Sequence, residues 1–208
     1  MDVMQALKWR YATKQFTDEV IDEGRVQQLL AAAGLSASSY GLQPYRLLIV
    51  KSTEVRQQLL EYSMGQNKVA NCSHLIVFAA QTDIGSETVN RYVDKVSEVR
   101  GIPLAELQGM ADHFKAALES MSEQKRQEWA HQQAYIALGN LLTCAALMAV
   151  DTCPMTGFER EGFDRILKLE KRALTTSVIC PIGIRHPDDS TASMEKVRFD
   201  QDELVIAV

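Results

Sequence analysis

Four basic residues at the two ends of the chain have the chemistry of an anion site. Arg10 and Lys14 stand four positions apart near the start, and Lys196 and Arg198 stand two apart near the end. Guanidinium and ammonium groups pair with phosphate oxygens through charge-assisted hydrogen bonds. An isolated basic pair is usually a solvated surface feature, so only a shared ligand would unite the two pairs. We expect that ligand to be an anionic cofactor.

A loop between these pairs supplies neutral hydrogen-bond donors. The segment 36–46 reads SASSYGLQPYR and joins a predicted helix to a predicted strand. Ser38 and Ser39 offer hydroxyls to a phosphate monoester, although the same serines are equally typical of a capped turn. Gly41 permits a tight backbone, and Pro44 stiffens the entry into the strand. We interpret the loop as one wall of a phosphate site.

The motifs of several other protein classes are missing. The chain contains no GxGxxG, GxxxxGK[ST] or GxSxG sequence, which removes the usual support for dinucleotide-fold, P-loop and serine-hydrolase functions. Its histidines are scattered and its cysteines form no CxxC pair, so we predict no metal site. The net charge of −5 gives no general attraction to nucleic acid or anionic lipid. We expect neither as a partner.

Length and composition indicate a single domain over residues 1–208. Hydrophobic residues make up 46% and charged residues 24%, and no linker divides the chain. The first residues lack the apolar core of a signal peptide. The most apolar run, 135–150, is shorter than the roughly 20 residues that span a bilayer. We therefore expect a cytoplasmic protein.

Hydrophobic periodicity predicts the elements that position the loop and the basic residues. Helical spacing and capping residues predict helices over 2–8 and 22–34, after Ser52, twice within 83–131, and from Ser122 onward. Apolar runs predict strands over 45–50, 75–80 and 173–184, the last interrupted by Pro181. The helix from Ser122 is apolar on nearly every side over 135–150, which indicates burial in the core and between subunits. Helices outnumber strands, which favours an α+β fold.

Six segments in this order resemble the nitroreductase family. They are RYATKQF at 10–16, SASSYGLQPYR at 36–46, SHLIVFAA at 73–80, YIALGNLL from 135, CPMTGF at 153–158 and KVR at 196–198. The resemblance is closest to the oxygen-insensitive NAD(P)H nitroreductase and dihydropteridine or quinone reductase type. It implies a three-layer α-β-α sandwich with a mixed, mainly antiparallel sheet, and an intertwined homodimer. It also implies FMN at the subunit interface and NADH or NADPH as the electron donor.

The resemblance further implies which residues bind FMN. They are Arg10, Tyr11, Ala12, Lys14, Ser38, Ser39, Gly41, Gln66, Lys68, Gln133, Pro154, Met155, Thr156, Gly157, Lys196 and Arg198. The flavin carries the chemistry, so we expect no separate catalytic residue; Lys14 and Lys68 would stabilise the reduced flavin. Relatives have serine, asparagine and glutamate where this chain has Ala12, Gly41 and Thr156, and the glycine removes a side-chain donor.

The implied function is transfer of hydride from NAD(P)H through FMN to nitroaromatics, quinones or flavins by a ping-pong mechanism. The segment 83–131 would shape the substrate site and the dimer. Tyr40 and Phe114 are candidate substrate contacts, although ordinary packing explains them equally well. One alternative is a related flavoenzyme with another acceptor, such as enoate or azoline oxidation, dehalogenation or flavin fragmentation. The other is a non-enzymatic protein that binds a phosphorylated ligand.

Overall fold

A computed structural model describes residues 1–208 as helices around a four-stranded antiparallel sheet. The strands are β1 (Tyr45–Val50), β2 (His74–Gln81), β3 (Asp151–Thr152) and β4 (Leu174–Gly183), in the order β1-β2-β4-β3. The helices are α1 (Val3–Trp9), α2 (Glu23–Gly34), α3 (Thr53–Glu61), α4 (Lys68–Asn71), α5 (Ser86–Arg100), α6 (Leu104–Glu119), α7 (Glu123–Leu147), α8 (Arg160–Ile166) and α9 (Gln201–Leu204).

The long helices begin and end where local sequence signals predict. Asp2 caps α1 by accepting from the Gln5 amide at 2.8 Å, and the Gln5 side chain accepts from the Asp2 amide at 3.0 Å. Ser52 and Ser122 cap α3 and α7 through their side-chain oxygens. Gly101 ends α5 with a φ of +66°, in the left-handed region that glycine adopts without steric cost.

Alternating side chains of the central strand place apolar layers on both faces of the sheet. Ile76 and Phe78 pack with α2 and α7 on one face. Leu75 and Val77 pack with α3 and α8 on the other. Because successive strand residues point to opposite faces, a continuous apolar run serves both layers. The α+β class, the three layers and the mainly antiparallel sheet are confirmed, and parallel pairing is limited to an isolated bridge between Ala12 and Thr152.

Three features of the sheet and the C-terminus differ from the sequence predictions. The strand predicted over 173–184 is not interrupted: Pro181 pairs with Leu75, and its carbonyl accepts from the Cys153 amide at 3.0 Å. Proline lacks only the amide donor, so the ladder continues through its oxygen. The two-residue β3 and the short helices α4 and α8 were not predicted, because they have too few residues to show a period. The final apolar run, 204–208, is exposed beyond α9.

The predicted helical segment 83–131 contains α5, α6 and the start of α7. Valines of α5 pack against Leu107 and Ala111 of α6 around a separate apolar cluster. Burial of α7 is incomplete within one chain, since Tyr135 and Ile136 are 43% and 47% exposed and Leu147 is also exposed. None of the helices has both the length and the apolar character needed to cross a membrane.

Candidate functional site

A cleft of about 390 Å³ collects basic residues from both ends of the chain. Arg10 follows directly on α1, and Lys196 and Arg198 come from the extended tail after β4. The predicted residues Tyr11 and Ala12 also line this cleft. We call it the cationic cleft. None of the three cations forms a salt bridge with a carboxylate.

The electrostatics of the cationic cleft favour an anion. Burial lowers the pKa of the Arg10 guanidinium, and the adjacent positive charge of Arg198 lowers it further. Burial, followed by the charges of Arg10 and Arg198, lowers the pKa of Lys196 in the same way. The Nε atom of Arg10 is buried and donates to no acceptor. Cations that repel one another beside an unpaired donor are the complement of a phosphate group.

The Lys196 side chain also fastens the tail to the end of α1. Its ammonium group donates to the carbonyl oxygens of Leu7 and Arg10. These carbonyls lie at the negative end of the helix, where a cation is favourable. The Lys196 ammonium group therefore already has acceptors within the chain. The donors that remain for a ligand are on the guanidinium groups of Arg10 and Arg198.

Lys14 and Lys68 lie together in a neighbouring cleft of about 260 Å³. The thiol of Cys153 is buried beside both, and this burial raises its pKa. Arg10 and Lys14 both lie beyond the end of α1, so their four-residue spacing does not place them on one helical face. Residues 10–16 are not helical: Ala12 and Phe16 form isolated β-bridges, the chain bends at Lys14, and the Thr13 amide donates to the Thr152 carbonyl at 3.2 Å.

The segment 154–157 lies against Gln66. The Gln66 side-chain amide donates to the Gly157 carbonyl at 2.9 Å. Met155 exchanges backbone hydrogen bonds with Ile179 of β4, at 2.8 and 3.2 Å. Its side chain is buried in the core, whereas Thr156 is exposed and Pro154 half-buried. The segment thus presents mainly backbone.

The serine loop forms a second group with α7. The Ser39 amide donates to Gln133 Oε1 at 2.8 Å, and the Gln43 amide donates to Ser38 Oγ at 3.2 Å. Tyr40 and Gly41 have φ values of +55° and +73°, so the turn is left-handed at two successive residues. Left-handed backbone at a non-glycine residue is uncommon and concentrates at functional sites.

Aromatic side chains enclose this loop. The rings of Tyr40 and Phe114 have centroids 4.8 Å apart and planes inclined at 43°. Gly41 faces Tyr92 of α5, and a Cβ atom at residue 41 would lie 2.6 Å from the tyrosine hydroxyl. Tyr92 therefore occupies the space that a larger side chain would need, which gives the glycine at this position a physical reason.

The two groups stand at opposite corners of the sheet. The serine loop leads into β1 at one edge, whereas Ala12 pairs with β3 at the other. Three strand spacings separate these edges, roughly 14 Å. Tyr45 and Thr152 also lie level with opposite ends of β4. No hydrogen bond joins residues 38–41 to the cationic cleft or to Lys68. The serine loop and the cationic cleft are therefore separate within one chain.

Comparisons with known proteins identify the family of this chain. The family model described as the nitroreductase family matches residues 7–184. The chain belongs to the nitroreductase family. A Staphylococcus saprophyticus protein assigned as an NAD(P)H nitroreductase is 32% identical over 215 aligned positions, which cover 98% of this chain and 95% of the relative. The family prediction is confirmed.

Solved structures of nitroreductases have the same fold. The Bacillus subtilis nitroreductase YdfN superposes with a TM-score of 0.88 at 19% identity, covering 99% of this chain and 98% of its own. An Exiguobacterium sibiricum nitroreductase solved in complex with FMN superposes with a TM-score of 0.86 at 19% identity, covering 100% and 98%. At these identities the likeness concerns the fold.

Two buried acids of this chain, Asp189 and Asp151, were not singled out from the sequence. Asp189 accepts hydrogen bonds from the segment that carries Lys14. Arg185 pairs with Asp151, and its guanidinium lies 4.1 Å from the ring centroid of Trp9. Asp189 lies in a polar stretch of the sequence and resembles the exposed acids around it, whereas Asp151 directly follows an apolar run. The contacts join residues more than 30 positions apart, so no local pattern reveals them.

Proposed function

We propose that this chain is an FMN-dependent oxidoreductase that takes electrons from NADH or NADPH and passes them to a nitroaromatic, a quinone or a flavin. The cationic cleft carries this proposal. Arg10 and Arg198 both line this cleft and neither forms a salt bridge, and the buried Arg10 Nε has no acceptor. The phosphate of FMN supplies both the negative charge and the acceptor. When bound, FMN supplies the hydride chemistry.

Lys14 and Lys68 have the positions of charge-stabilising residues in this proposal. Their cleft adjoins the cationic cleft through the segment 10–16. Reduction leaves negative charge on the pyrimidine side of the isoalloxazine, and an ammonium group held there stabilises it. Neither lysine forms a salt bridge, so both charges are available. Gln66 and Gly157 hold the backbone that faces the ring.

A homodimer completes the site. A twofold axis gives each protomer the same patch, so the serine loop of one chain can meet the cationic cleft of the other, twice per dimer. Tyr135 and Ile136 expose an apolar face on α7, which is the kind of surface that subunit interfaces bury. The separation of the two half-sites within one chain supports this assembly.

The acceptor site lies at the aromatic pair in this proposal. Tyr40 comes from the serine loop and Phe114 from α6, and their rings form an apolar surface that suits an aromatic acceptor. A dimer that carries the loop to the cleft also carries this pair to the flavin. Donor and acceptor then use one face in turn, which is a ping-pong mechanism. Initial rates should give parallel double-reciprocal lines.

Titration of FMN into Arg198→Ala and Arg10→Ala tests the phosphate assignment. Losing a charge-assisted contact costs about 1.5 to 3 kcal/mol, so the dissociation constant should rise roughly tenfold or more. Arg100→Ala is the matched control, because Arg100 is exposed at the end of α5. Unchanged affinity in both cleft variants would show that the phosphate does not bind there.

Mixing two defective variants tests the shared site. Arg198→Ala damages the cationic cleft, and Gln133→Ala damages the loop half-site. If each site is built from two chains, a mixed dimer contains one site with both halves intact. Unfolding the two variants together and refolding them should then recover FMN binding and NAD(P)H oxidation with menadione. A mixture no better than its components would place the whole site within one chain.

The donor reaction has a direct optical test. Anaerobic addition of NADH or NADPH to the FMN-loaded protein should bleach the yellow absorption, and nitrofurazone or menadione should restore it. A loaded protein that neither donor bleaches would contradict the proposed reaction while leaving cofactor binding intact.

A further inference from the structure

We propose that Asp189 is a positioning residue that locks the two parts of the flavin site, the phosphate cations and the pyrimidine-side lysine, into one rigid unit. This inference rests on the proposed function. Asp189 lies in the turn after β4 and is 4% exposed. Its role follows from the hydrogen bonds its carboxylate accepts and from the segments that donate them.

One carboxylate oxygen holds the N-terminal half of the cleft. Asp189 Oδ2 accepts from the Lys14 amide at 2.7 Å, the Gln15 amide at 3.2 Å and the Tyr11 hydroxyl at 3.0 Å. These three donors come from residues 11–15, the segment that connects Arg10 to Lys14 and its neighbour. Hydrogen bonds to a charged acceptor are the strong ones in proteins, and three on one oxygen fix the path of the segment.

The other oxygen holds the C-terminal half. Asp189 Oδ1 accepts from the Thr191 amide at 3.0 Å and so caps the turn at Ser190–Ser193, which leads to Lys196 and Arg198. A single buried carboxylate therefore ties together the two chain segments that bring cations to the cleft. Burial alone would raise the pKa of Asp189, but the hydrogen bonds from Lys14, Gln15, Tyr11 and Thr191 outweigh it and lower the pKa.

No other carboxylate does this. Asp188 is 85% exposed at its side chain and faces only His186. Glu195 lines the cationic cleft but accepts no hydrogen bond from residues 10–15. Asp151 is engaged by Arg185. The link between the two segments thus depends on the Asp189 side chain, so a single substitution can test it.

The test compares Asp189→Asn with Asp188→Asn in three measurements. Asparagine keeps one acceptor oxygen but loses the charge and the second acceptor. We expect the FMN dissociation constant of Asp189→Asn to rise about tenfold, with Asp188→Asn unchanged. We also expect reduced FMN to lose tenfold more affinity than oxidised FMN, because Lys14 is displaced, which lowers the two-electron midpoint potential by about 30 mV. Hydrogen exchange of the Lys14 and Gln15 amides should accelerate in the cofactor-free protein.

The midpoint potential distinguishes a positioning role from a general effect on stability. A merely weakened fold would lower the affinities for oxidised and reduced FMN by the same factor and leave the potential unchanged. Wild-type affinity and potential in a folded Asp189→Asn variant would overturn the inference. If that variant does not fold, Tyr11→Phe removes one donor and keeps the carboxylate; we then expect a two- to fivefold loss of affinity and a lower potential. Tyr11→Phe with wild-type values would overturn the inference equally. A wild-type chain that binds no FMN would instead refute the proposed function.

Discussion

Replacing Gly41 by alanine should destabilise the protein through two separable effects. The residue has a φ of +73°, and a left-handed backbone costs a non-glycine residue about 1 to 2 kcal/mol. The new Cβ would also lie 2.6 Å from the Tyr92 hydroxyl and 2.8 Å from two ring carbons. The tyrosine ring is the end of a movable side chain, so it can shift and lose packing at a cost of roughly 1 kcal/mol.

The free energy of unfolding should therefore fall by about 2 to 3 kcal/mol in Gly41→Ala. For a chain of this size each kcal/mol lowers the melting temperature by roughly 2 to 4 °C, so the expected shift is roughly 4 to 12 °C. Urea denaturation followed by circular dichroism measures the free energy, and a thermal scan of the same samples measures the shift.

A double-mutant cycle with Tyr92→Ala separates the two effects. In that background the steric conflict is gone, and Gly41→Ala should cost only the backbone strain, about 1 to 2 kcal/mol. Gly41→Asn is the second comparison, because asparagine tolerates left-handed backbone and retains the clash. A loss below about 0.5 kcal/mol in Gly41→Ala, or an equal loss with and without Tyr92, would refute the assignment of this glycine to space and backbone conformation.

Three further predictions concern buried groups away from the loop. Arg185→Ala should lower the free energy of unfolding by about 3 kcal/mol in urea denaturation, because it removes the guanidinium that pairs with the buried Asp151 carboxylate and leaves only the residue 185 amide as donor. An effect below 1 kcal/mol would contradict this. Burial, and then the charge of Arg160, lowers the pKa of His131, so the unfolded chain takes up the proton first. Wild-type stability should fall as the pH drops below about 6.5, and His131→Gln should fall less; equal pH slopes would reject this. Burial raises the pKa of Cys72 to about 12, so iodoacetamide at pH 8 should label this thiol only after unfolding. Peptide mass mapping that finds Cys72 labelled in the native protein would disprove this.

Local patterns were sufficient to predict the elements that hold the site. The strand over 45–50 was predicted with its observed bounds, and Ser52 and Ser122 marked helices that begin one residue later. Long elements show their period over several turns or alternations, and polar caps mark their ends. The two-residue β3 has no period at all, yet it pairs with Ala12 and thereby directs the segment to Lys14. Its position depends on β4, more than 20 residues away.

The resemblance placed Lys14 and Lys68 near the same end of the flavin and made Tyr40 and Phe114 candidate substrate contacts. In the structure the two lysines line one cleft, and the two rings pack against each other. Their role in binding remains a prediction. The helical spacing of Arg10 and Lys14 was misleading, because α1 ends at Trp9 and the following residues are not helical. A four-residue spacing predicts a shared face only where the helix continues through both residues. Here the helix has ended, and the Thr13 amide donates to the Thr152 carbonyl instead.

Two features of the single chain have an energetic cost that no contact within the chain offsets. Tyr40 holds a left-handed backbone, which costs of order 1 to 3 kcal/mol, and Arg10 and Arg198 repel each other in a partly buried cleft. Both features lie in the residues that we assign to FMN, and in that proposal the phosphate of FMN offsets the repulsion between the two arginines. A cofactor that contacts both chains binds the dimer better than separate protomers, so by linkage it must stabilise the dimer to the same extent. If the site is shared between two chains, as we propose, cofactor binding and dimer assembly are coupled in this way.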